Sequence, residues 1–498
     1  MMVVAAIAGS VLALTVLPEP RVIAFGSGQV KDPAVRVVRD ADVRAEGYRL
    51  DVKPEGVTIA ASDERGVFYA KQTMRQLAEG NSGVPVCTVN DWPEYPMRTV
   101  QIDDARHFFG KASLLQTLDW MAYYKFNTLI WHLTDDQGWR IEIKGYPNLT
   151  TYGATRARTA ARGKCFGEYD NRQYGPYFYT QDEMREVVAY AKARHIDIIP
   201  EICMAGHTRS VVAAYPEFGC PDFPLDERTC WSDWGISRDC ICAGNDDVVK
   251  FYYDCIDQVC DIFPGKIVHM GLDEVNFVHW SRCAKCQARV RKEGLAKTED
   301  LMSWLTGLAA KRLKARGRTI MTYVDQSIDF EVAGLGKDDI VFCCGCGDLG
   351  PTMATLGYKV ISGPAAYGYI DFEQGLENDP CVYNNWIPCS VPLHLVYSFD
   401  PSRGIFRREN RKNMLGGVAY NWSEYTYSVK ELQWKLWPRL IAMAQVNWNP
   451  KSGYDYEKTF VKALPAHIAQ LRAAGINCAG IPKRATMPVE VGVQKQNE

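Results

Sequence analysis

The sequence has almost no excess of charge of either sign. Its 57 Lys and Arg residues stand against 59 Asp and Glu, a formal net charge of −2. That balance favours neither a nucleic-acid backbone nor an anionic membrane, and neither is expected as a partner. The chain also lacks an apolar run long enough to span a bilayer comfortably. The nearest candidate, Val3 to Leu17, is rich in small residues and reads as a secretory h-region, although no Lys or Arg precedes it. Residues 1–17 are therefore expected to be a leader or a disordered start. A periplasmic or extracellular location follows from that reading, with the cytoplasm as the alternative. No glycine-rich phosphate turn is present, which argues against a doubly wound dinucleotide-binding sheet. No internal repeat or low-complexity stretch stands out, which argues against a solenoid.

The cysteines lack a complete set of standard metal-binding spacings. There are 17, an odd number, so at least one is unpaired if all bonds are intramolecular. The close pairs are Cys283-Ala-Lys-Cys286 and Cys240-Ile-Cys242. Together they leave a structural zinc site open, but Cys-x-Cys is an unusual half-site. Disulfides or buried thiols are the expectation, and neither a metal nor any other cofactor is assigned to the chemistry.

Aromatic residues are plentiful, with 13 Trp and 26 Tyr. Most must serve the core, but aromatic faces also suit the apolar C–H faces of sugars. Along the chain, Tyr48–Val52 and Val57–Ala61 alternate as strands do, and Gly66–Glu79 has helical periodicity. These predict a small α/β domain over residues 18–92, closed by the proline-bounded joint Asp91–Pro96. Strands then alternate with helices. The predicted strands are Thr99–Asp103, Thr128–Leu133, Ile196–Ile202, a run opening at Ile267, Thr319–Val324, Ile340–Cys344, Lys359–Ser362 and Gly417–Trp422. Eight strands in this rhythm fit an α/β architecture, a (β/α)8 TIM barrel over residues 95–450. Val429–Asn447 reads as its last long helix, and 451–498 as a C-terminal helix and tail.

The chemistry gathers around Ile267-Val-His-Met-Gly-Leu-Asp-Glu-Val275. An apolar run ends in an imidazole and two adjacent carboxylates. Neighbours on a strand point to opposite faces, so Asp273 and Glu274 share a site only if the chain turns there. A solvated acidic turn is the plain alternative. Against it, five more polar clusters follow predicted strands: Asp103–His107, Thr134–Trp139, Glu201–His207, Tyr369–Asp371 and Trp422–Glu424. Six clusters at the carboxyl ends of one barrel point to an active site.

At these clusters the sequence resembles the β-N-acetylhexosaminidases of glycoside hydrolase family 20. The matching motifs are Asp103–Phe109, His132–Arg140, Pro200–His207 and His269–Glu274. The resemblance spans almost the whole chain, the small first domain included. It implies a retaining exo-β-N-acetylhexosaminidase that removes terminal GlcNAc or GalNAc from glycans without a cofactor. The nucleophile would be the substrate's own 2-acetamido oxygen, giving an oxazolinium ion, an exception to the usual two-carboxylate scheme. Glu274 would be the acid and then the base, Asp273 would accept the acetamide N–H, and Tyr369 would donate to the acetamide oxygen. Asp135 and His207 would tune Glu274, whose pKa is expected to be raised by burial and by the like charge beside it. Arg106 would hold the 3- and 4-hydroxyls, and Glu424 and Asp371 the far hydroxyls. Trp422 would stack on the ring, and Trp386 would form a pocket wall.

Two departures stand out. Leu272 replaces a glycine of the catalytic motif, and the wall tryptophans expected after the fifth and sixth strands give way to Tyr323-Val324-Asp325 and Cys343-Cys344. They motivate two alternatives: an enzyme of the same family with an altered substrate, 6-sulfo-GlcNAc or lacto-N-biose, or an inactive carbohydrate-binding relative.

Overall fold

The computed structural model describes residues 16–324, 328–345, 349–376, 379, 390–450 and 456–481. Most of the expected leader, Trp386, Asp325 and the tail after residue 481 lie outside the described residues.

The first layer is a five-stranded sheet of β1 (Val22–Val30), β2 (Val35–Arg39), β3 (Tyr48–Lys53), β4 (Gly56–Ala61) and β5 (Val84–Asp91), in the order β1-β5-β3-β4-β2. The central strands alternate buried and exposed residues, with Tyr48, Leu50 and Val52 inward from β3. One helix, α1 (Glu64–Ala78), covers that face with Val67, Tyr69, Ala70 and Leu77. Asp63 starts the helix by accepting a hydrogen bond from the Gly66 N–H. The sheet thus has three strands beyond the two predicted. β1 and β2 are largely exposed edges, where no face is dictated by burial.

The second layer is a closed barrel of eight parallel strands, as the alternating pattern predicts. In chain order they are Thr99–Asp103, Thr128–His132, Asp197–Glu201, Ile267–His269, Thr319–Tyr323, Ile340–Cys343, Lys359–Ser362 and Met414–Asn421, and the last pairs with the first. Ile130, Ile199, Met321, Phe342, Ile361 and Val418 fill the interior. The eighth strand starts at Met414, earlier than expected. The predicted helix over 429–447 is two helices, Val429–Leu436 and Arg439–Trp448. Pro438 has no N–H to continue the ladder, so the helix restarts there.

The layers meet at a buried polar joint. The Lys125 ammonium, fully buried in the barrel, donates to Asp91 Oδ2 at 3.2 Å and to the Tyr48 hydroxyl at 3.0 Å. The Trp448 indole N–H donates to the same Asp91 oxygen at 2.9 Å. No described helix is long and apolar enough to cross a membrane.

Candidate active site

The fourth barrel strand stops at His269, and the chain turns at once. Gly271, Leu272 and Glu274 all have positive φ, of 63°, 77° and 49°. A straight strand would have sent Asp273 and Glu274 to opposite faces. This turn instead brings both to one imidazole. His207 Nε2 lies 3.3 Å from Glu274 Oε2 and 3.8 Å from Asp273 Oδ2. The loop after the third strand carries His207, itself at φ 54°. Gly206 lets the two loops touch: a Cβ there would stand 2.2 Å from the Asp273 carbonyl oxygen.

His207 is gripped from behind. Its Nδ1 lies 3.3 Å from Asp135 Oδ1 and 3.3 Å from Asp136 Oδ2. Burial disfavours a charged ring, but Asp135, Asp136 and Glu274 outweigh it and hold His207 well above the ordinary histidine range. Asp135 also takes the Arg106 guanidinium at 2.8 Å and His132 at 2.9 Å. Burial opposes ionisation of Asp135, yet Arg106 and His207 keep it well below the usual carboxylate range. Arg106 is further held by Asp103 at 3.2 Å.

The adjacent carboxylates are set apart. Burial pushes Asp273 up to about 7, with Glu274 adding to the rise. Glu274 does not follow the expected elevation. Burial pushes it up, but hydrogen bonding and attraction to His207 prevail and lower it. Its side chain is 56% exposed, against 22% for Asp273, so water reaches the Glu274 tip.

Trp422 forms an aromatic floor. The Arg106 guanidinium lies 5.1 Å from its ring centre, and the His132 ring meets it edge-on at 5.3 Å. Tyr369 lies 6.5 Å away, at the end of a short helix over Ala365–Gly368, with its hydroxyl paired to the Cys344 thiol. Tyr323 takes up space along the same wall and donates to Glu201 Oε1 at 2.8 Å. Asp371 is buried near Glu424, and burial raises it to about 7. Burial also raises Glu424, against the pull of Arg106. Asp371 Oδ1 and Arg106 Nε are buried without a hydrogen-bond partner among the described residues. Buried polar atoms are seldom left so, and both suit ligand hydroxyls.

Three residues here, Glu201, His132 and Asp136, were given no role from the sequence. Glu201 lies 2.9 Å from His132 Nδ1, and His132, Tyr323 and His269 surround it. Burial opposes its charge, but the two histidines hold Glu201 down at about 2. Burial likewise opposes charge on His132, and Glu201 with Asp135 lifts that ring to about 10. Asp136 anchors the His207 loop by accepting from the Arg209 and Ser237 N–H groups. All three lie within motifs that marked the site, but their partnerships cross strands.

A closed barrel whose mouth gathers paired acids, sugar-sized aromatic faces and unpaired polar atoms defines the architecture of a TIM-barrel glycosidase. Residues 95–451 match the family described as "Glycosyl hydrolase family 20, catalytic domain", and residues 8–92 match "Glycosyl hydrolase family 20, domain 2". The chain belongs to glycosyl hydrolase family 20. It is 35% identical over 446 residues to a beta-hexosaminidase of Porphyromonas gingivalis, covering 87% of this chain but only 55% of that protein. It is 31% identical over 466 residues to a beta-hexosaminidase of Akkermansia muciniphila, covering 91% of this chain and 89% of that one. Among solved structures, a beta-N-acetylhexosaminidase superposes with a TM-score of 0.83 at 29% identity, covering 92% of this chain and 95% of its own. The Streptomyces plicatus N-acetyl-beta-hexosaminidase in complex with Thio-NAglucal superposes at 0.75 and 26%, covering 95% and 97%.

Proposed function

We propose that the protein is a retaining exo-β-N-acetylhexosaminidase, releasing terminal GlcNAc or GalNAc by substrate-assisted catalysis. The carrying observation is the left-handed turn that sets Asp273 and Glu274 side by side against His207. Two acids so placed do not flank a glycosidic bond from opposite faces. They suit a mechanism in which one steers the substrate's acetamide while the other handles the leaving oxygen.

The resting charges support an ordered sequence. A sugar ring over Trp422 covers the exposed Glu274 tip, and lost hydration raises its pKa toward that of a useful acid. The acetamide N–H meets Asp273, and growing positive charge on the cyclising sugar favours its ionised form. Each carboxyl thus moves toward its working state on binding. Tyr369 aims the acetamide oxygen at the anomeric carbon. Water then attacks the oxazolinium ion with Glu274 as base, which gives net retention. Arg106, Asp371 and Glu424 hold hydroxyls of the terminal sugar, and Asp135 with Asp136 keeps His207 charged behind the acids.

The test is hydrolysis of an aryl β-N-acetylglucosaminide by the wild type and by Glu274→Gln and Asp273→Asn. Each variant is expected to lose about 10²–10⁴ in kcat/KM. Full activity in both would remove the mechanism. The Tyr323 and Cys344 wall also favours a second reading, an altered substrate. Matched GlcNAc, GalNAc, 6-sulfo-GlcNAc and lacto-N-biose substrates separate the two.

A further inference from the structure

Behind the active-site loops, four buried cysteines converge. The Sγ atoms of Cys220, Cys242, Cys283 and Cys286 all lie within 4.8 Å of one another. Cys242 is 3.5 Å from Cys286 and 3.8 Å from Cys283, and Cys220 is 3.8 Å from Cys286. None of the four is in a disulfide. Cys240, the partner the sequence suggested for Cys242, lies outside the group and approaches the Asn276 carbonyl instead. Cys220 takes its place from a distant loop.

We propose that these four thiols form a structural zinc site. Four sulfurs at about 2.3 Å from one ion, at the corners of a tetrahedron, lie about 3.8 Å apart. The observed separations match that edge, whereas bonded sulfurs would stand about 2.05 Å apart. The local backbone is built for such a site. Cys283 and Cys286 sit at and just inside the N-terminus of the helix Ala284–Glu293, where the helix dipole favours thiolates. Gly244 permits close approach of the opposite turn: a Cβ there would stand 2.2 Å from the Lys285 carbonyl carbon. Burial of all four side chains leaves ligand thiolates no water to lose later. Binding exchanges four S–H protons for one divalent ion, with no change in oxidation state.

The position gives the site its purpose. Cys220 follows the His207 loop through the helix Arg209–Ala214 and the turn Pro216–Phe218. Cys283 follows the Asp273–Glu274 loop through the helix Val278–Arg282. The ion would clamp the segments leading from the two loops that meet at the His207–Glu274 contact. This holds whether or not the proposed hydrolysis is correct.

The test is metal analysis of the full chain, grown with zinc and purified under reducing conditions without metal-affinity resin. One zinc per chain surviving dialysis is expected, lost in Cys220→Ser/Cys242→Ser. In the wild type, titration with an organomercurial should release zinc in step with thiol modification, a readout that does not depend on the variant folding. Replacement by cobalt should give the thiolate charge-transfer band of a tetrahedral sulfur site. A zinc-free chain, iron in place of zinc, zinc undiminished in the double variant, or no release by the mercurial would each overturn the proposal.

Discussion

Leu272 is the residue at which two physical demands collide. Its φ of 77° lies where a leucine is strained, and its side chain is almost fully buried. Glycine there would relieve about 1–2 kcal/mol of backbone strain, but removing a buried leucine side chain costs about 2–5 kcal/mol. Packing wins, so Leu272→Gly is expected to lower stability by roughly 1–3 kcal/mol in urea unfolding; a stabilised variant would contradict this. Asp273 carries a different tension. Its folded pKa, about 7, lies above the ordinary 3.8. The folded state therefore holds that proton more tightly. The stability it contributes is fully present below about pH 4 and is lost as pH rises through 7. Asp273→Asn should match the wild type near pH 4 and exceed it at pH 8 by roughly 1–2 kcal/mol while losing activity. Unfolding midpoints across pH check this, and a gap that does not grow with pH would refute it. The sequence showed that Leu272 stands where a glycine is usual, but φ is not written in it. Nor is the order in which Asp273 and Glu274 ionise, because His207 decides that from another strand.

At the scale of elements, the barrel strands were legible because each is an apolar run buried on both sides and followed by polar residues. The accessory edges were not: β1 and β2 face solvent, and their residues obey no burial pattern. The joint between the layers was equally hidden. Asp91, Tyr48, Lys125 and Trp448 are scattered along the chain, and only folding joins them. Asp91→Ala would leave the Lys125 ammonium buried without its counter-charge. It is expected to destabilise the protein by about 3–5 kcal/mol, measured by denaturant unfolding. An unchanged midpoint would show that the buried pair does not hold the layers together. The cysteine cluster makes the same point. Cys283 and Cys286 were visible as a spacing, whereas Cys220 joins them only through tertiary contact.

In the whole molecule a barrel supplies rigid strand ends, and two turns of unusual backbone bring paired acids to one histidine. In the proposed mechanism the sugar does the rest with its own acetamide. That claim is tested most directly by a series of aryl β-glucosaminides whose N-acyl group carries zero, one, two or three fluorines. Fluorine weakens the acyl oxygen as a nucleophile and leaves the leaving group unchanged. The account predicts that kcat/KM falls steeply with each fluorine, while an activity insensitive to fluorination would contradict it.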